Sequence, residues 1–74
     1  MNKFNKYYFL GIGGIGMSAL ARYFNTKGFA VGGYDRSKTK LTSDLETEGI
    51  SICYNESVNY IPAEFVKPES TLIV

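Results

Sequence analysis

Glycines at positions 11, 13 and 16 spell G-x-G-x-x-G within YFLGIGGIGMSALA, and Asp35 follows about 20 residues beyond them. This spacing suits the binding of a phosphate-bearing nucleotide. A tight turn at Gly11 would lead from a strand into a helix. The missing side chain at Gly13 would let a phosphate approach the backbone, and Gly16 would let the helix pack closely on a sheet. The peptide N–H groups from Gly14 through Ile15, Gly16 and Met17 to Ser18 would then face an anion at the positive end of the helix dipole. The Ser18 hydroxyl is a candidate donor to a phosphate oxygen. At the end of the next strand, the Asp35 carboxylate is placed to accept from ribose hydroxyls. Arg36 beside it suits a 2′-phosphate instead, so the pair does not choose between the two nicotinamide cofactors.

The chemistry these residues support is binding. The chain has no histidine and a single cysteine, Cys53, which rules out Cys-His and Ser-His catalytic pairs, an internal disulfide and a Cys/His zinc site. No carboxylate cluster has metal-ligand spacing, and no G-x-x-x-x-G-K-[ST] phosphate loop occurs. Cys53 reads as a small buried hydrophobe in a reducing, cytoplasmic setting. The formal charge of +1 provides no broad field for nucleic acid or an anionic membrane. Lys3 and Lys6 ahead of an apolar run and Ala19-Leu20-Ala21 have the outline of a secretory signal. Four glycines within residues 7–21 argue against a membrane-seeking helix there, and no run approaches the ~20 apolar residues of a span.

The elements that must position this turn are also legible. With 45% hydrophobic and 20% charged residues, the 74-residue chain has globular composition and is at most one small domain. Residues 7–12, YYFLGI, form an apolar run typical of a strand buried on both faces. Met17, Leu20, Ala21 and Phe24 then share one face of a helix, with Ser18, Arg22 and Asn25 directed elsewhere and Gly28 as the left-handed stop. FAVGGY at 29–34 reads as a second strand. A second helix between Thr39 and Glu48 would be capped by Ser37 or Thr39 and end at Gly49. A third strand is expected at 50–54 and a fourth at 71–74. Between them, Pro62 and Pro68 limit residues 55–70 to irregular structure with one helical turn, which Val58, Ile61, Phe65 and Val66 would anchor. This order predicts an α/β, three-layer Rossmann-like parallel sheet with strands 3-2-1-4, cut short after the fourth strand.

YFLGIGGIGMSALARYF, then GYDRS, then an L-x-x-x-G-I leading into a strand, together resemble the amino-terminal domain of the Mur ligases of bacterial peptidoglycan synthesis. The likeness runs over nearly all of residues 1–74 and is strongest in GIGGIGMSALA, where Met-Ser after the last glycine suits the members that join L-alanine to UDP-N-acetylmuramate. The members that recycle muramyl tripeptides rank second, because their glycine turn usually differs.

The resemblance implies a three-domain enzyme of which residues 1–74 are part of the UDP-binding domain. ATP and magnesium would bind outside them, where the muramyl carboxylate would become an acyl phosphate for L-alanine to attack. Residues 13–18 would cradle the UDP pyrophosphate, and Asp35 with Arg36 would lie near the uridine. Tyr34, where many members have serine, and Asn55-Glu56, where many have histidine, depart from the family pattern. The alternative from the residues alone is an NAD(P)-binding domain of an oxidoreductase or a ligand-sensing module.

Overall fold

A computed structural model describes residues 4–54, 62–66 and 70–74. The elements run β1 (Lys6–Leu10), α1 (Ile15–Thr26), β2 (Ala30–Tyr34), α2 (Lys40–Thr47), β3 (Ser51–Cys53), a single 3-10 turn (Ala63–Phe65) and β4 (Thr71–Ile73). All three strand pairings are parallel, in the order β3-β2-β1-β4. The expected α/β sheet and its strand order are therefore observed. The expected anchors Val58 and Ile61, the break at Pro68, and the family departures at Asn55 and Glu56 lie outside the described residues.

The register fixes the core. Tyr7 pairs with Val31 and Phe9 with Gly33, while Tyr8, between them in β1, pairs with Gly32 and Ile73. Successive strand residues alternate faces. Tyr7, Phe9 and Val31 accordingly pack with Ile12, Ala21 of α1, Leu45 of α2 and Ile50. The Tyr7 ring stacks on Phe24 with centroids 3.9 Å apart and planes 12° apart. On the opposite face Tyr8 meets Phe65 of the 3-10 turn, 5.3 Å between centroids. β1 is thus buried on both faces, as its unbroken apolar run predicts.

Both helices end as their glycines predict. Gly28 and Gly49 have φ of 91° and 97°. After α1 the N–H of Gly28 donates to Asn25 O and that of Phe29 to Phe24 O; after α2 the N–H of Gly49 donates to Glu46 O and that of Ile50 to Leu45 O. Each is the paired 5→2 and 6→1 closure of a left-handed helix stop. The two helix ends are tied together by Arg22, whose Nε and Nη2 donate to Glu48 Oε1 and Oε2, both at 2.8 Å. Asn25 Nδ2 adds a bond to Glu48 O at 2.9 Å.

Two expectations about α1 and β1 require correction. β1 stops at Leu10, not Ile12, because Gly11 at φ 77° turns the chain out of the strand. On α1, Leu20 is 41% exposed and Ser18 only 3%. The small Ser18 and Ala21 face the sheet and allow close approach, and the Ser18 hydroxyl remains satisfied by donating to Ile15 O at 3.0 Å.

Candidate functional site

The carboxyl ends of β1 and β2 and the amino ends of α1 and α2 meet around the glycine turn. Its path is set by β2. The N–H groups of Gly11 and Ile12 both donate to Tyr34 O, at 2.7 and 2.9 Å. The Gly13 N–H donates to Asp35 Oδ2 at 2.7 Å. Gly14 then closes on Gly11 O at 3.1 Å and stands as the extended N-cap of α1, φ −69° and ψ 150°.

After Gly14 three backbone donors are left without a partner among the described residues. Ser18 N–H is the first to bond within the helix, to Gly14 O at 2.8 Å. The N–H groups of Ile15, Gly16 and Met17 have no partner among the described residues, as the geometry of a first helical turn requires. No side chain caps them and no acidic residue lies in that turn. Ile15 is 86% exposed. These three donors sit at the positive end of a 12-residue helix, an arrangement suited to an anion.

Several expected roles are redistributed. A Cβ at Gly16 would meet nothing within 4 Å, so Gly16 leaves the approach to the first turn open and does not serve helix–sheet packing. That packing falls to Ser18 and Ala21. A Cβ at Gly13 would lie 2.6 Å from Asp35 Oδ2, so the space there holds a carboxylate of the chain itself. Both Ser18 donors are used inside the helix, by Gly14 O and Ile15 O. Met17 is partly buried against the core. Arg36 is exposed beside the turn.

Beyond Asp35 the chain turns through Ser37, whose N–H donates to Asp35 Oδ1 at 3.1 Å. Thr39, of the two expected caps, is the N-cap of α2. It forms a reciprocal box with Thr42: Thr42 N–H donates to Thr39 Oγ1 at 3.2 Å and Thr39 N–H to Thr42 Oγ1 at 2.8 Å. Thr42 is fully buried beneath the glycine turn, a supporting role that sequence reading missed although the T-x-x-T spacing carried the signal. Of the neighbouring lysines, Lys38 pairs with Glu46 at 3.6 Å and Lys40 with Asp44 at 3.5 Å. The perturbed titrating groups lie away from this end. Burial raises the Tyr8 phenol on the opposite sheet face, with Cys53 adding to it, and hydrogen bonding to Glu48 raises the Arg22 guanidinium.

Among the described residues no group of three or more His, Cys, Asp or Glu is placed to hold a metal ion. None of their helices is long and apolar enough to cross a membrane. The site presents backbone donors to an anion and offers no nucleophile–base pair.

Residues 6–72 match the family model described as Mur ligase family, catalytic domain. The chain is 51% identical over 75 residues to the UDP-N-acetylmuramate--L-alanine ligase of Christiangramia forsetii, covering 100% of this chain and 17% of that protein. It is 52% identical over 67 residues to the enzyme of the same name from Porphyromonas gingivalis, 90% of this chain and 15% of that one. The corresponding Parabacteroides distasonis protein is 50% identical over 74 residues, 100% of this chain and 16% of that protein. The chain therefore spans about one sixth of the length of these curated relatives.

Proposed function

The chain belongs to the Mur ligase family, and from that premise we propose that it is the UDP-binding portion of a cytoplasmic ligase joining L-alanine to UDP-N-acetylmuramate in peptidoglycan synthesis. The observation that carries this reading is the roughly half identity, along the whole chain, to ligases of that name. The site supports it with a preformed, uncapped helix start: the amides of Ile15, Gly16 and Met17 receive the pyrophosphate, while Gly11, Gly13, Gly14 and Ser18, whose own donors bond within the chain, fix the path of the turn. Asp35 and Arg36 lie on the uridine side.

The residues present do not fit the nucleoside triphosphate and magnesium that the reaction requires. The sequence has no G-x-x-x-x-G-K-[ST] loop, and no metal-holding cluster occurs among the described residues. Activation of the muramyl carboxylate as an acyl phosphate is assigned to the remainder of the whole enzyme, and residues 1–74 are expected to bind without turnover.

Thermal denaturation of the chain with UDP-N-acetylmuramate, NADH and NADPH tests the reading. A ligand that binds only the folded form at a hundred times its Kd stabilises by about 2.7 kcal/mol, which raises Tm on the order of 10 °C for a domain of this size. That shift is expected with UDP-N-acetylmuramate. Stabilisation by a nicotinamide cofactor without it would return the site to the oxidoreductase or sensor alternative.

A further inference from the structure

Three consecutive N–H groups of the glycine turn, those of Gly11, Ile12 and Gly13, are received by two consecutive residues of the neighbouring strand end. Tyr34 takes the first two on its carbonyl and Asp35 takes the third on its carboxylate. The Asp35 side chain thus continues the β1–β2 ladder one step past the strands, to the point where the chain is released toward α1. Its other oxygen is not idle, since Oδ1 accepts from Ser37 N–H and folds the loop after β2 back on itself. One carboxylate therefore pins the glycine turn and the loop leading to α2 to each other. Position 13 must be glycine for this, because a Cβ would lie 2.6 Å from Oδ2 and 3.0 Å from Cγ of Asp35.

We infer that Asp35 is a positioning residue for the phosphate subsite: it fixes the glycine turn so that the amides of Ile15, Gly16 and Met17 are aimed before ligand arrives, and it acts through Gly13 without touching the ligand. This rests on the pyrophosphate reading above and differs from the ribose contact that its place at the end of β2 suggests. A short bond from a backbone N–H to a carboxylate is among the stronger hydrogen bonds available to the turn. A carboxylate beside an anion site weakens that site by its charge, so its presence here is accounted for by what it holds in place.

The test compares the 74-residue chain with Asp35→Ala and Asp35→Asn, using UDP and inorganic pyrophosphate as calorimetric probes and the Gly13 amide in 1H–15N spectra of ligand-free protein. Asp35→Ala is expected to weaken UDP and pyrophosphate by the same factor, about ten-fold, and to remove hydrogen-exchange protection from the Gly13 amide. Asp35→Asn, whose carbonyl still accepts one bond, is expected to restore most of both. Loss of UDP affinity with pyrophosphate affinity unchanged, in either variant, would mean a ribose contact and would overturn the inference. So would an unaltered Gly13 amide in Asp35→Ala. If Asp35→Ala does not fold, the Asn variant decides by the same comparison. If the unsubstituted chain binds neither probe, the pyrophosphate reading fails, and the ligand-free Gly13 amide alone decides the role of Asp35.

Discussion

Gly33→Ala is expected to destabilise the chain by at least about 3 kcal/mol, the upper end of ordinary overpacking costs. The added Cβ would sit 2.6 Å from the Phe9 carbonyl oxygen and 2.6 Å from Ile12 Cδ1. Neither can yield at low cost. Phe9 is the register partner of Gly33 in the central pairing of the sheet, so moving its carbonyl disturbs the ladder. Ile12 is fully buried and opens the glycine turn, with its N–H on Tyr34 O. A domain of this length has roughly 4–11 kcal/mol of total stability, so the loss is a large fraction of it. Gly16→Ala is the matched control. Its Cβ would enter open space at the start of a helix, where alanine is the better helix former, so it is expected to be neutral or slightly stabilising. Urea unfolding of both variants checks the pair, and equal midpoints would contradict the packing described for Gly33.

Gly13→Val is expected to leave a folded but weakened domain and to reduce affinity for UDP-N-acetylmuramate at least about ten-fold, the loss expected of Asp35→Ala. A side chain at position 13 displaces the Asp35 carboxylate and presses on Thr42, whose Cγ2 would lie 3.1 Å from the new Cβ. The variant therefore loses the Gly13–Asp35 bond and disturbs the Ser37 bond that shares the same carboxylate, two charge-assisted bonds worth roughly 1.5–3 kcal/mol each. The turn that directs the α1 amides is then held to β2 only by the Gly11 and Ile12 bonds to Tyr34 O. Calorimetry with UDP-N-acetylmuramate, alongside circular dichroism to establish folding, measures this. Affinity equal to that of the unsubstituted chain would reduce the glycine turn to a strand-to-helix connection.

These two glycines mark where the sequence was legible and where it was not. The turn at Gly11, the stops at Gly28 and Gly49, the cap at Thr39 and the doubly buried run YYF of β1 were readable because each depends on local backbone geometry or on a short hydrophobic run. The same local signals, taken in order, were enough to give the strand order. Gly32 and Gly33 looked like ordinary positions of a strand because what excludes a side chain there comes from elsewhere: the Phe65 ring over Gly32, and Ile12 with the Phe9 carbonyl over Gly33. In α1, the set Met17, Leu20, Ala21 and Phe24 overlaps the set that faces the sheet, and hydrophobicity favours the wrong one of Leu20 and Ser18. The small residues Ser18 and Ala21 are the buried ones, and Leu20 is left half-exposed. Spacing brought Asp35 to the site, but its bond to Gly13 depends on how far the turn folds back over β2, which no sequence period encodes.

In the proposed function, the open amides at the start of α1 hold the pyrophosphate of a UDP-linked sugar. Titration of 15N-labelled chain with UDP-N-acetylmuramate, followed amide by amide, tests it most directly. The largest shifts are expected at Ile15, Gly16 and Met17, whose N–H groups have no partner among the described residues, with smaller ones at Gly13 and Ser37 through Asp35. Saturable shifts that leave Ile15, Gly16 and Met17 unmoved would mean that the ligand binds elsewhere.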